Sequence, residues 1–142
     1  MKFWDSSALV PLLVEEADSQ WFESQLSEDA TILVWYGTVA EIESALMRRF
    51  REGSLSDADE KLARKKLLML ELVWNEIQPT STVRDRALRL LRVHPLRAAD
   101  AFQLASALVA CREKPQNFVF LTGDHRLRDA ARKEGFDVKE AV

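Results

Sequence analysis

Dense apolar runs alternate along the chain with stretches whose apolar residues recur every three to four positions. Residues 1–4, 31–36 (TILVWY) and 117–121 (NFVFL) are short, aromatic or β-branched, and read as strands. Residues 75–79 carry a weaker strand pattern, and 136–141 alternate apolar and polar as an edge strand does. Helical spacing marks 18–26, 38–51, 56–74, 81–93, 97–112 and 124–134. Ser56 is placed to cap one of these helices and the Gly37-Thr38 pair another, while Gly53 and Gly135 follow two helix ends. Strands separated by helices of this length predict an α/β protein, with a parallel sheet covered on both faces.

Composition changes this picture little. Hydrophobic residues make up 47% and charged residues 30% of the 142, ordinary for a globular chain, and the length predicts one domain over 1–142 with a core of its own. No apolar run reaches the roughly 18–20 residues of a membrane helix. The apolar start is interrupted by Asp5 with no small-residue cleavage site after it, so a soluble cytoplasmic protein with no membrane partner is expected. The single cysteine, Cys111, excludes an internal disulfide framework and a Cys-rich zinc site. Lys and Arg number 20 against 23 Asp and Glu, a formal net charge of −3. That balance disfavours gripping nucleic acid with the whole surface, yet it permits a basic rim around an acidic pocket. The four glycines stand apart at 37, 53, 123 and 135, so no Gly-rich phosphate loop exists.

Ligands of such sheets bind beyond the carboxyl ends of the strands, and acids gather there. Asp5 directly follows the first strand, and Asp124 stands two residues beyond 118–122. Glu41 falls in the first turn of the helix after the second strand. Asp100 shares a helix face with Leu104, Ala107 and Cys111. Each acid also has a plain role open to it: Asp5 and Asp124 as helix caps, Asp100 in a capping box with Gln103, Glu41 as a solvated helix residue. Convergence of all four is costly, because two unit charges about 4 Å apart repel by roughly 4 kcal/mol at an effective dielectric near 20. Protons, basic side chains or a divalent cation must offset that, and hard oxygen donors without Cys or His favour Mg²⁺ or Mn²⁺.

Other features are less specific. His94 and His125 allow a metal-free, two-histidine ribonuclease, but no partner lysine or spacing supports it; His125 is expected to be solvated or phosphate-facing. Arg126, Arg128, Arg132 and Lys133 crowd the helix after Asp124, and Arg48, Arg49 and Arg51 end the one that begins near Glu41. These clusters read as solvated surface or as phosphate-steering groups beside the pocket. Residues 67–74 are apolar on more than one helical face, as a core helix or as an interface. A phosphatase of the haloacid dehalogenase type needs a second Asp where Ser7 stands.

Four segments together, WDSSALVPL (4–12), VAEIESALMRR (39–49), LRAADAFQLASALVA (96–110) and FLTGDHRLRDAARKEGFDV (120–138), resemble the PIN-domain nucleases, and among them the VapC toxins of VapBC toxin–antitoxin pairs. The resemblance covers essentially the whole chain and implies a PIN-like three-layer sandwich with a central parallel sheet flanked by helices. It places Asp5, Glu41, Asp100 and Asp124 in the family's acidic quartet, as catalytic residues and ligands of Mg²⁺ or Mn²⁺, and Ser7 and Thr122 at the supporting hydroxyl positions. Glu41 and Glu43 point roughly 200° apart on a helix, and motif register selects Glu41. The resemblance further implies endoribonuclease activity, a homodimer, and a cognate VapB-type antitoxin, and within the basic clusters Arg48, Arg49, Arg126 and Arg128 are the candidates for RNA contact. A PIN nuclease of RNA processing, or a PIN-like scaffold that binds without cutting, are the alternatives.

Overall fold

The computed structural model describes residues 1–141. Its strands are β1 (Lys2–Trp4), β2 (Ile32–Trp35), β3 (Asn75–Ile77), β4 (Val119–Leu121) and β5 (Asp137–Val138), all parallel, in the order β3-β2-β1-β4-β5. Around them lie α1 (Ser6–Leu13), α2 (Ser19–Glu28), α3 (Thr38–Arg51), α4 (Asp57–Glu71), α5 (Ser81–Val93), α6 (Ala98–Ala110) and α7 (His125–Glu134). The expected strands and helices are therefore present, shortened or shifted by a few residues at their ends.

Alternation along the strands builds two cores. Phe3, Leu33, Trp35 and Phe120 point to one face and pack against α5, α6 and α7. Trp4, Ile32, Val34 and Leu121 point to the other and pack against α1 to α4. In register, Phe3 stands between Leu33 and Phe120, and the Phe3 and Phe120 rings stack at 5.1 Å. The result is the three-layer α/β sandwich. Leu90 of α5 is fully buried, so Leu90→Ala is expected to cost about 2–5 kcal/mol, read as a lowered midpoint in urea.

Local chemistry explains most helix ends. Ser56 Oγ accepts from Asp59 N at 3.1 Å, and Gly135 adopts φ 107° after α7, where its N–H closes the helix. Three expectations need correction. The Gly37-Thr38 pair supplies no side-chain cap to α3, because the Thr38 hydroxyl instead accepts from Gln103. Helix α1 was absent from the sequence reading: eight residues are too few for a clear period, and Pro11, which lacks a donor, sits inside it. Residues 67–74 are not a core helix, since α4 stops at Glu71 and only Leu67 and Trp74 are buried there. Leu68, Met69, Leu72 and Val73 are all more than 60% exposed, leaving an apolar strip on the surface. Among the described residues no helix is long and apolar enough to cross a membrane.

Candidate functional site

The strand order reverses at β1: the chain moves outward through β2 and β3, then returns to place β4 on the other side. A crevice opens beyond the carboxyl ends of strands at such a switch point. Asp5 and Thr122, each the first residue past its strand, meet there.

Asp5 is 3% exposed. Its N–H donates to Leu121 O at 2.9 Å, tying β1 to β4. Its Oδ2 accepts from Ser7 Oγ at 2.5 Å and from Thr122 Oγ1 at 2.8 Å, and Ser7 N adds a longer bond at 3.4 Å. Oδ1 has only a 3.4 Å contact from Ser6 Oγ. Asp5 thus caps α1 and keeps one oxygen in reserve. Ser7 Oγ also accepts from Gly123 N at 2.8 Å, and Thr122 Oγ1 from Asp124 N at 3.0 Å, so the two hydroxyls stitch both loops to one carboxylate. Burial pushes the Asp5 carboxyl above the usual aspartate range, and the hydroxyl bonds work against that push.

Glu41 enters from the first turn of α3. Its Oε1 accepts from Ser6 Oγ at 2.9 Å and its Oε2 from Gln103 Nε2 at 3.1 Å. Burial first, then the charges of Asp5 and Asp100, push it up to about 7. Glu43 faces elsewhere, in a bidentate pair with Arg64 at 2.7 and 2.5 Å. Asp100 is in the first turn of α6, where it does not act as a cap. Burial, then the charges of Asp124 and Asp5, push it up to about 6, with Arg97 pulling the other way. Asp124 does cap α7, through Oδ1 to Leu127 N at 2.9 Å.

Glu41, Asp100 and Asp124 line one open cleft of about 690 Å³ with Arg48, Pro95, Arg97, Ala99, His125 and Arg126. Asp5 does not line it, but its charge reaches both Glu41 and Asp100. A second hollow of about 600 Å³, lined in part by Ser6, Ser7 and Gly123, shares Glu41 and Arg48 with the first, so the depression continues on both sides of Glu41. The donors are carboxylate oxygens, which suit a hard divalent cation. Two carboxylates raised by burial and by neighbouring acids are groups that such a cation would relieve. As placed, no three His, Cys, Asp or Glu side chains among the described residues stand close enough to grip an ion.

The arginines divide. Arg48, Arg97 and Arg126 are exposed on the cleft rim. Arg49 is held by Glu16 at 2.6 Å. Arg128 does not reach the cleft: it is 8% exposed, with Nη2 donating to Thr122 O at 3.0 Å, because the helical turn that exposes Arg126 turns Arg128 inward. His94 is buried against Glu134 at 2.6 Å and does not line the cleft, which leaves no histidine pair. Arg97 was missed by the sequence reading, and Gln103, expected in a capping box with Asp100, instead reaches Glu41. Both were signalled by helical spacing, one turn before and one turn after Asp100. Gln103 is fully buried and donates to Thr38 and Glu41 at once, while its Oε1 has no partner.

The PIN domain family profile matches residues 2–133. Ribonuclease VapC45 of Mycobacterium tuberculosis (strain CDC 1551 / Oshkosh) and Ribonuclease VapC49 of the same species (strain ATCC 25618 / H37Rv) are each 30% identical over 148 residues, spanning 98% of this chain and 94% of their own. Among solved structures, FitAcB from Neisseria gonorrhoeae aligns over 99% of this chain and 98% of its own, with a TM-score of 0.65 and 17% identity, a likeness of fold.

Proposed function

The chain belongs to the PIN-domain family, with VapC ribonucleases among its relatives, and from that premise we propose that it is a metal-dependent endoribonuclease, the toxin of a type II toxin–antitoxin pair. The observation that carries this reading is the cleft at the β1/β4 switch point, where carboxylates from four distant segments gather and where burial and the neighbouring acids raise Glu41 and Asp100. The alternative of a PIN nuclease in RNA processing shares the site, and the names of the relatives favour the toxin.

Asp5, through its reserved Oδ1, with Glu41, Asp100 and Asp124 would hold Mg²⁺ or Mn²⁺. When bound, such an ion supplies positive charge to the phosphate oxygens and lowers the pKa of a coordinated water. Ser7 and Thr122 keep Asp5 in place at the floor of the site. Glu41, held at the cleft by Ser6 and Gln103, is placed to take a proton from the attacking water. The water oxygen forms the new bond to phosphorus as the bond to the 3′-oxygen breaks, leaving a 5′-phosphate and a 3′-hydroxyl. Arg48, Arg97 and Arg126 steer the backbone toward the cleft.

The 1–142 chain works as a single domain in this reading, in the cytoplasm. Its partners are RNA, a VapB-type antitoxin and a second copy of itself, and the exposed Leu68, Met69, Leu72 and Val73 supply apolar surface for a protein partner. The test is incubation of the purified chain with single-stranded RNA in Mg²⁺, in Mn²⁺ and in chelator. Cleavage with either ion, none in chelator, and 5′-phosphate ends are expected. Cleavage in chelator with cyclic phosphate ends would overturn the mechanism.

A further inference from the structure

Arg128 is the most enclosed cation beside the cleft, and its bonds are unequal to its donors. Nη2 is satisfied by Thr122 O, Nη1 lies 3.1 Å from His125 Nδ1, and Nε is buried without a partner. A guanidinium has five N–H donors and no acceptor. In this contact Arg128 must therefore donate, and His125 Nδ1 must accept. The imidazole then carries its one ring proton on Nε2. Unlike Arg128, the His125 ring is exposed and lines the 690 Å³ cleft beside Asp124, Arg126 and Arg97.

We propose that His125 is a substrate-contacting residue: Arg128 holds its ring with Nε2–H as the free donor, and that donor takes a non-bridging oxygen of the phosphate next to the scissile one. The inference rests on the nuclease reading for its substrate, and it assigns a positioning role to Arg128, which contacts no RNA itself. The neighbouring groups favour phosphate over a base edge, because Arg97 and Arg126 on the same rim attract backbone charge. Proximity to Thr122 also matters. Arg128 bonds the carbonyl of the residue whose hydroxyl supports Asp5, so the donor is kept in register with the acidic floor.

An uncharged donor has a signature that an arginine lacks. It adds affinity without releasing a counterion, whereas each phosphate contact by a cation adds roughly 0.7 to the salt slope on single strands. The experiment uses the full chain in an Asp100→Asn background, so that RNA stays intact, with a fluorescent single-stranded RNA titrated at several salt concentrations. His125→Ala is expected to raise Kd about threefold to tenfold, the loss of one hydrogen bond, with the slope unchanged. His125→Gln, whose amide nitrogen sits near the place of Nε2, restores most of the affinity; His125→Asn does not. Arg126→Ala weakens binding and flattens the slope by roughly 0.7. Nitrogen-15 NMR of the free chain is expected to show the Nε2–H tautomer at His125, and Arg128→Lys, which keeps the charge without the fork, loosens that preference.

An Nδ1–H tautomer, an unchanged Kd in His125→Ala, or a slope lowered as much as in Arg126→Ala would each overturn the proposal. Failure of the nuclease reading looks different. The chain with Asp100 intact would then cut no RNA with Mg²⁺ or Mn²⁺, while tautomer, binding and the Gln rescue still report on His125.

Discussion

Asp100→Asn is expected to lower RNA cleavage about 10²–10⁴-fold while circular dichroism and the thermal midpoint stay those of a folded chain. Asp100 is the cleanest site for this test, because it holds nothing else together: it does not cap α6, and Asn keeps its size. The carboxylate faces the cleft, and its charge is felt by Glu41, with Asp5 and Asp124 acting back on it. Asp5→Asn should abolish cleavage as well, but with a second effect. Asp5 Oδ2 accepts from both Ser7 Oγ and Thr122 Oγ1, and an amide turned the wrong way offers donors to donors. That variant is expected to lose stability and activity together. An active, folded Asp100→Asn protein would remove the assignment of the acidic quartet.

In chelator, the same substitution is expected to make the protein more stable at neutral pH. Burial and neighbouring charge raise Glu41 from 4.5 to about 7 and Asp100 from 3.8 to about 6 in the folded chain. A carboxyl raised on folding contributes stability that is fully present below its unfolded pKa and lost as pH rises through the folded value. The metal-free melting temperature should therefore fall as pH climbs from about 4 to about 7. Glu41→Gln and Asp100→Asn should each raise it at pH 7.5 by about 2–5 °C, on the order of 1 kcal/mol once solvent screening of partly exposed groups is allowed for. Added Mn²⁺ should stabilise the unsubstituted chain and narrow that gap. Differential scanning calorimetry with and without chelator reads all of these. A melting temperature that rises steadily from pH 4 to pH 7 would contradict the crowding of acids.

Much of this site was legible in the residues. Asp5, Glu41, Asp100 and Asp124 could be placed at one sheet edge because strand ends and first helical turns are local features. For Asp5 and Asp124 the plain alternative coexists with a place at the site, since both cap helices and also face the switch point, whereas Asp100 caps nothing. Tertiary pairing was harder to see. That Glu43 belongs to Arg64, or that Gln103 reaches from α6 to α3, depends on how helices dock across the sheet. Arg128 misled for the same reason, since a basic run does not reveal which of its members turns inward. Helix α1 was hidden by its brevity and by Pro11, and its clearest mark, Asp5 before Ser6 and Ser7, was read chiefly for chemistry.

The path of the chain through the sheet has a consequence for synthesis. Behind the cleft Thr122 is bonded to Asp5, and the cleft's own walls include Asp124 and His125. A ribosome must deliver more than four-fifths of the 142 residues before these groups can meet, roughly ten seconds of elongation. A nascent or truncated chain ending before β4 carries Asp5, Glu41 and Asp100 but lacks the strand that brings them under one roof. Such a chain is expected to leave the RNA around it intact, so that reactivity waits for the arrival of β4.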